Sequence, residues 1–367
     1  MLFKPKYSLF FLLSLYISFS ANAQETVPAF TIEGKFHYGY VWKHSSKIDG
    51  DITAQNPFGF ELDYIRRCSG VKPWQRSYKN LYSGYSLYYY HFDHKKPIGD
   101  LAAFLTYLSK PIFRTKRIEM LYRIAFGIGY VEKRFHESKN SNNFLISARI
   151  NHALNGQITL RAKISEKVVI STGVGLLHLS NGAFKMPNLG INVPSAFLGI
   201  GINSGKSCNV IKDSLPEFRK KIDWNIAVSA GLKELPSQRG NKYFAGSVSV
   251  YPNFRVTRKS GLNAGLDYFY DKSSDQFFHD NPDKIVSELP EHYMRVGVAA
   301  GHELYFGKFA MLTQIGYYLY DPVKAYEKIY QRYGLKFYLH DKFYISYALR
   351  AHFGRAEIVE YSMGLAL

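Results

Sequence analysis

Cysteine, acidic side chains and long apolar runs are all scarce in this 367-residue chain. The two cysteines, Cys68 and Cys208, are too few for a disulfide-dense scaffold and have no zinc-site spacing. A membrane-crossing helix needs roughly 20 consecutive apolar residues. Only Leu9–Phe19 approaches that, so a bundle of membrane helices is excluded. Asp and Glu number 29 against 47 Lys and Arg, a formal charge of +18. Such a balance suits a polyanionic setting and equally a plain solubilising surface. What is abundant is aromatic: 30 Tyr and 27 Phe raise the aromatic share to 16%, which excludes a disordered chain.

The N-terminus reads as an export signal. Lys4 and Lys6 supply the positive start, Leu9–Phe19 the apolar centre, and Ala21-Asn22-Ala23 a small-residue cleavage site. Residues 1–23 are therefore expected to be removed, leaving 24–367. No cysteine follows the apolar stretch, so a lipid anchor is not indicated. For an exported chain the basic excess points to anionic lipid or polysaccharide rather than nucleic acid.

From about residue 30 onward one pattern repeats. Segments of roughly 10–14 residues alternate apolar with polar or small side chains, and turn-like clusters separate them; this is the signature of an outer-membrane barrel. In 307–320, Phe309, Met311, Ile315, Tyr317 and Leu319 share one face, while Lys308, Ala310, Gln314 and Gly316 share the other. In 343–352, Phe343, Ile345, Tyr347 and Leu349 oppose Ser346, Arg350 and His352. Arginine facing lipid is costly, so the apolar face points outward. The fold expected is all-β, an antiparallel outer-membrane barrel of about 16 strands (12–16), read economically as a single ring.

Connections alternate in length. Short turns fall at 114–117, 165–167, 258–260, 307–308 and 340–342. Longer stretches fall at 44–57, 91–99, 132–143, 181–190, 235–241 and 271–292. Two further long connections, 66–80 and 205–221, lie on the side of the short turns and carry Cys68 and Cys208. Those two cysteines either pair in an oxidising compartment or stay free.

One segment concentrates reactive groups: His178-Leu179-Ser180-Asn181-Gly182-Ala183-Phe184-Lys185-Met186-Pro187-Asn188-Leu189-Gly190-Ile191-Asn192. In the strand before it, Val168, Ile170, Thr172, Val174 and Leu176 form the bulkier parity, hence the lipid-facing one. His178 and Ser180 continue that parity, about 7 Å apart along the backbone. The next strand has Pro194, Ala196, Leu198, Ile200 and Ile202 outward, and Asn192 shares their parity. His178, Ser180 and Asn192 thus converge on the outer wall at one end of a hairpin. A polar cluster there is costly unless it meets something polar, such as a lipid head group. A serine hydroxyl needs a base, and the base needs an orienting acceptor. Asn181, Asn188 and the Gly182 region offer amide donors to an oxyanion. The bland alternative is ordinary turn chemistry, since Asn-Gly and Pro-Asn-x-Gly favour turns.

This run resembles the signature of the PagL-type lipid A 3-O-deacylases, which are outer-membrane esterases. Their pattern is His-x-Ser-Asn, a short Pro-Asn-x-Gly loop, then a carboxylate. His178, Ser180, Asn181, Pro187, Asn188 and Gly190 match it; the carboxylate falls on Asn192, an amide. The resemblance implies a Ser–His–acid triad on the outer surface, with Asn188 helping to bind the oxyanion. An amide can orient the histidine but cannot stabilise imidazolium by charge. Glu357, read as outward-facing, is the one substitute acid considered. Family members have eight strands, and the resemblance covers about 25–205. Residues 206–367 have no counterpart there, are expected to enlarge the barrel, and resemble longer acyloxyacyl hydrolase-like relatives.

These readings predict a serine esterase acting on lipid A or lipopolysaccharide, at home among outer-membrane lipids, with no cofactor, no metal and no nucleic-acid partner. His178 and Ser180 would be catalytic with Asn192 orienting, and Asn188 and Asn181 would hold the oxyanion. The rival expectation is a non-enzymatic barrel, either a channel or a degenerate deacylase that only binds lipid; a third is an acyltransferase using the same nucleophile. Three further features read as structural: Trp74 as turn packing, His352 as a lumen hydrogen-bonder, and His91, His94, Lys95 and Lys96 as a solvated basic loop.

Overall fold

A computed structural model describes residues 26–92, 97–211, 213–276 and 293–367. The export signal, most of the basic loop around His94 and most of 271–292 lie outside the described residues. A short sheet pairs β1 (Thr26–Pro28) with β10 (Ser207–Asn209). All other strands are barrel staves. The first ring comprises β2 (Thr31–Gly39), β3 (Phe58–Arg67), β4 (Tyr82–His91), β5 (Leu101–Arg114), β6 (Ile118–Val131), β7 (Ile150–Lys163), β8 (Val168–Ser180) and β9 (Ile191–Asn203). The second comprises β11 (Lys221–Leu235), β12 (Gln238–Arg255), β13 (Ser260–Asp271), β14 (Met294–Phe306), β15 (Phe309–Tyr320), β16 (Ile329–Tyr338), β17 (Phe343–His352) and β18 (Arg355–Ala366). Two short helices, α1 (Gly50–Thr53) and α2 (Pro73–Tyr78), sit in connections.

The all-β antiparallel barrel and its sixteen staves are as expected. The single ring is not. β9 returns to pair with β2, from Thr31↔Asn203 to Gly39↔Ser195, and β11 pairs with β18. The sixteen strands therefore close as two eight-stranded barrels. Alternation is identical in either arrangement, because each stave shows one face to lipid and one to a lumen whatever the ring size.

The stave at 309–320 points as read. Phe309, Ile315, Tyr317 and Leu319 are exposed, while Ala310, Leu312, Gln314 and Tyr318 are buried. The same apolar wall continues around the first ring through Phe36, Leu62, Phe104, Ile128, Val174, Leu198 and Ile202. The expected short turns join their strands, and 181–190 is a long connection. The expected long stretch at 235–241 is instead a tight hairpin, because β11 and β12 continue pairing to Leu235↔Gln238.

An eight-stranded lumen has room only for side chains, and here they are charged. In the first ring Lys35 Nζ bonds Glu61 (2.9 Å) and Asp63 (2.6 Å), and Arg123 grips the same two carboxylates. Gln157 donates to Glu61 and to the Tyr88 hydroxyl, both at 2.7 Å. In the second ring Lys336 meets Glu303 (2.5 Å), Arg332 meets Glu360 (2.9 Å), and Glu357 meets Arg295 (2.7 Å) and Arg350 (2.8 Å). The void beside Lys35 and Arg123 holds about 10 Å³ and that beside Asp271 and Arg295 about 30 Å³, each room for a water molecule or so. His352 faces this lumen as expected, bonding Glu357 at 2.9 Å.

The barrels stand side by side. At the rim bearing the short turns, the Tyr78 hydroxyl donates to the Tyr305 carbonyl (2.9 Å) and its ring stacks on Phe306. Trp74 fits against Gly307, where an added Cβ would lie 2.8 Å from the indole; its packing is thus between barrels. Midway along the wall, Tyr347 of β17 touches Phe126 and His152 of the first ring. Cys68 is a buried free thiol, and burial pushes its pKa up. The disulfide alternative therefore does not hold for Cys68.

Two outcomes follow from the packed lumens. The protein reconstituted in a planar bilayer is expected to pass no steady ion current, an outcome that would exclude the channel alternative; stepwise conductance would contradict the plugged lumens. Glu61→Ala leaves the two buried cations Lys35 and Arg123 sharing one carboxylate, Asp63, and is expected to cost about 3–5 kcal/mol in denaturant unfolding of the detergent-solubilised protein.

Candidate active site

β8 and β9 form an antiparallel hairpin whose register makes His178 and Asn192 direct cross-strand partners. Leu177, Leu179, Ile191 and Val193 are buried in the core, which fixes the opposite parity, and with it His178, Ser180 and Asn192, on the outer wall. The outward projection expected of all three is what the structure has. His178 Nδ1 lies 2.7 Å from Asn192 Oδ1. An amide oxygen only accepts, so Nδ1 carries the hydrogen and Nε2 keeps its lone pair. Gly190 (φ +85°) makes room for the imidazole: a Cβ there would lie 2.8 Å from His178 Cε1.

Ser180 Oγ accepts two hydrogen bonds, from Asn188 Nδ2 (2.9 Å) and from the Gly182 backbone N–H (3.2 Å). Among the described residues no hydrogen bond joins Ser180 to His178. Both side chains are half-buried on one face, and such contacts are often long before substrate binds. The hydroxyl's own hydrogen is uncommitted in the described contacts, as is His178 Nε2.

The loop between the strands is tightly held. Asn188 Oδ1 accepts from the Asn181 N–H (3.2 Å), which turns its amide toward Ser180. Leu189 and Gly190 N–H groups bond the carbonyls of Phe144 and Leu145, and Ser147 Oγ donates to the Lys185 carbonyl (2.6 Å). The second barrel holds the other side. Buried Glu234 accepts from the Met186 N–H (2.7 Å), its own N–H donates to the Ala183 carbonyl (3.0 Å), and Lys242 bonds the Phe184 carbonyl while lying over its ring. Gly182 (φ +63°) abuts Val359 so closely that no Cβ would fit.

Two expectations are corrected. Asn181 is not free to meet an oxyanion through its side chain: it is buried, with Nδ2 toward Ser147 Oγ (3.4 Å) and Oδ1 accepting from the Lys185 N–H (3.1 Å). The Gly182 N–H, by contrast, points at Ser180 Oγ. Glu357 does not face outward. A register shift at Arg350/Ala351 turns its side chain into the second lumen, where it is 1% exposed and bound to Arg295, Arg350 and His352.

One residue escaped the sequence reading. His44 Nε2 lies 3.0 Å from the Leu189 carbonyl, and its Nδ1 lies 3.1 Å from Asn192 Nδ2. The alternation of exposed Tyr38, Tyr40 and Trp42 runs on to His44, and the backbone continues to pair with β9 through Trp42 N–H to the Asn192 carbonyl (3.0 Å). That outward parity was the available signal; treating 44–57 as loop hid it. A second Ser–His–Glu array also exists, with His37 between Ser195 (3.1 Å) and Glu61 (2.9 Å). His37 is 1% exposed inside the first lumen, and Glu61 is already claimed by Lys35 and Arg123, so no lipid reaches it. Among the described residues no group of three His, Cys, Asp or Glu side chains is arranged to hold a metal ion.

Closed antiparallel rings with packed polar lumens and apolar outer walls are β-barrels of the outer-membrane type. Residues 58–200, within the first ring, match the family model described as lipid A 3-O-deacylase (PagL), and residues 222–367, the second ring, match that of the acyloxyacyl hydrolase C-terminal domain. The chain belongs to this PagL-type lipid A deacylase and acyloxyacyl hydrolase family, as the run from His178 to Asn192 led us to expect. No curated protein matches it in sequence. Among solved structures it is similar to Neisserial surface protein A, with 6% identity over 49% of this chain and 100% of that one (TM-score 0.35). It is similar to the outer membrane enzyme PagL, with 17% identity over 46% and 97% (TM-score 0.33), and to a mutant Rh. blastica porin, with 7% identity over 93% and 100% (TM-score 0.17).

Proposed function

We propose that this protein is a serine esterase of the bacterial outer membrane that removes an ester-linked 3-hydroxyacyl chain from lipid A or lipopolysaccharide. The observation that carries this reading is the pairing, on one outward face, of a serine cradled by two donors with a histidine whose Nδ1 is anchored on an amide oxygen. Family membership supplies the substrate class.

His178 Nε2 takes the Ser180 proton as Oγ attacks the ester carbonyl. Asn192 keeps Nδ1–H oriented. The oxyanion is met by Asn188 Nδ2 and the Gly182 N–H, the donors that hold Ser180 Oγ in the resting protein. Collapse expels the sugar hydroxyl, which takes the proton from His178. Water, deprotonated by the same histidine, then releases the fatty acid and restores Ser180. The acyl chain lies against the apolar wall, so substrate arrives sideways through the bilayer, and Lys185, in the same loop as Asn188, supplies positive charge for a glucosamine phosphate.

Lipid A from cells expressing the protein is expected to lose one 3-hydroxyacyl chain by mass spectrometry, and to lose none with Ser180→Ala; acyl loss that persists in that variant refutes the mechanism. Asn188→Ala is expected to lower kcat by about 10²–10³ with little change in KM, measured on purified lipid A. The second reading is a barrel that binds lipid without cleaving it. The amide at Asn192 and the open His178–Ser180 gap favour it, and an unchanged lipid A spectrum with the wild-type protein would establish it.

A further inference from the structure

A carboxylate and a carboxamide do different work behind a histidine. A carboxylate offers an acceptor oxygen on either side, so its rotation about the terminal bond is immaterial. A carboxamide has one accepting face and one donating face. If the Asn192 amide turns over, its NH₂ group meets His178 Nδ1. That nitrogen must then hold the lone pair, the hydrogen moves to Nε2, and the histidine can no longer take a proton from Ser180. A chain with Asn at this position therefore needs a second group to fix which way the amide faces.

We infer that His44 is that group, a positioning residue that sets the His178 tautomer through Asn192. The inference rests on the esterase reading for its purpose, but on hydrogen accounting for its content. His44 Nε2 lies 3.0 Å from the Leu189 carbonyl, and Nδ1 lies 3.1 Å from both the Trp42 carbonyl and Asn192 Nδ2. A neutral ring with its hydrogen on Nε2 satisfies two of these partners, the Leu189 carbonyl and the Asn192 NH₂, whereas one with its hydrogen on Nδ1 satisfies the Trp42 carbonyl alone, so the first tautomer is favoured and Nδ1 accepts. Asn192 spends its NH₂ on His44 and is left with Oδ1 facing His178 Nδ1 at 2.7 Å. In that tautomer the hydrogens are donated one way, from His178 Nδ1 through Asn192 and His44 to the Leu189 carbonyl, which leaves His178 Nε2 with its lone pair. The scaffold keeps His44 over the amide: the Trp42 N–H bonds the Asn192 carbonyl, and Leu189 belongs to the loop that carries Asn188.

The test uses the full-length protein in detergent with ¹⁵N-labelled histidine, the His178 resonances being assigned by their loss in His178→Gln. The wild type is expected to give the Nδ1–H tautomer of neutral His178, and His44→Phe to give a mixture with the Nε2–H form. His44 is exposed, so this change does not threaten folding. In Asn192→Asp the Nδ1–H tautomer is expected to persist with or without His44. On lipid A, His44→Phe is expected to lower kcat about three- to tenfold at constant KM, the span of one ordinary hydrogen bond. The same change in the Asn192→Asp background is expected to cost less than twofold. A wild-type Nε2–H tautomer, or one unmoved by His44→Phe, overturns the inference, as does an equal loss of kcat in both backgrounds. The expected tautomers in a protein that releases no acyl chain would uphold the relay and refute the esterase.

Discussion

In hydrocarbon there is no water to satisfy a backbone N–H or C=O, so a strand can cross only if it is paired on both edges, and the sheet must close. Closure at eight strands leaves a lumen too narrow for anything but side chains. From this one constraint follow the buried ion-pair networks, the lumens filled by side chains, and the placement of His178, Ser180 and Asn192 where lipid can reach them. Chemistry on a bilayer component cannot be housed inside such a ring. The Ser195–His37–Glu61 array illustrates this, since correct spacing inside the lumen is useless without access, whereas the less complete set at His178, Ser180 and Asn192 faces the membrane.

Period-two alternation made much of this legible. It fixed the outward side of β8 and β9, and thereby the convergence of His178, Ser180 and Asn192, because the inward Leu177, Leu179, Ile191 and Val193 set the opposite parity. It did not reveal how many rings the strands form, because ring closure depends on which distant strands meet, and Thr31 pairing with Asn203 leaves no mark in local pattern. It failed at Glu357, where a bulge inverted the parity, and at Asn181, where a turn residue's side chain was claimed by the loop's own hydrogen bonding. His44 was missed because the connection was drawn to begin at residue 44, although pairing with β9 runs past the end of the strand.

The departure at Asn192 then takes on a physical meaning. Substituting an amide for an acid removes charge, and it also breaks a symmetry, so the neighbour of the amide acquires a role that the neighbour of a carboxylate does not have. The site gains dependence on a residue from the opposite end of the first ring's sequence, brought adjacent only because β2 closes onto β9.

The grip of Glu234 and Lys242 on residues 183–186 has a bearing on timing. A nascent chain with only its first ring in place would already display Ser180, but the strip carrying Asn188 and the Gly182 N–H would lack its outer support until the second ring folded beside it. On the esterase reading proposed above, competence would thus arrive late in biogenesis, after both halves are seated, and partly inserted intermediates would remain latent toward the lipids that surround them.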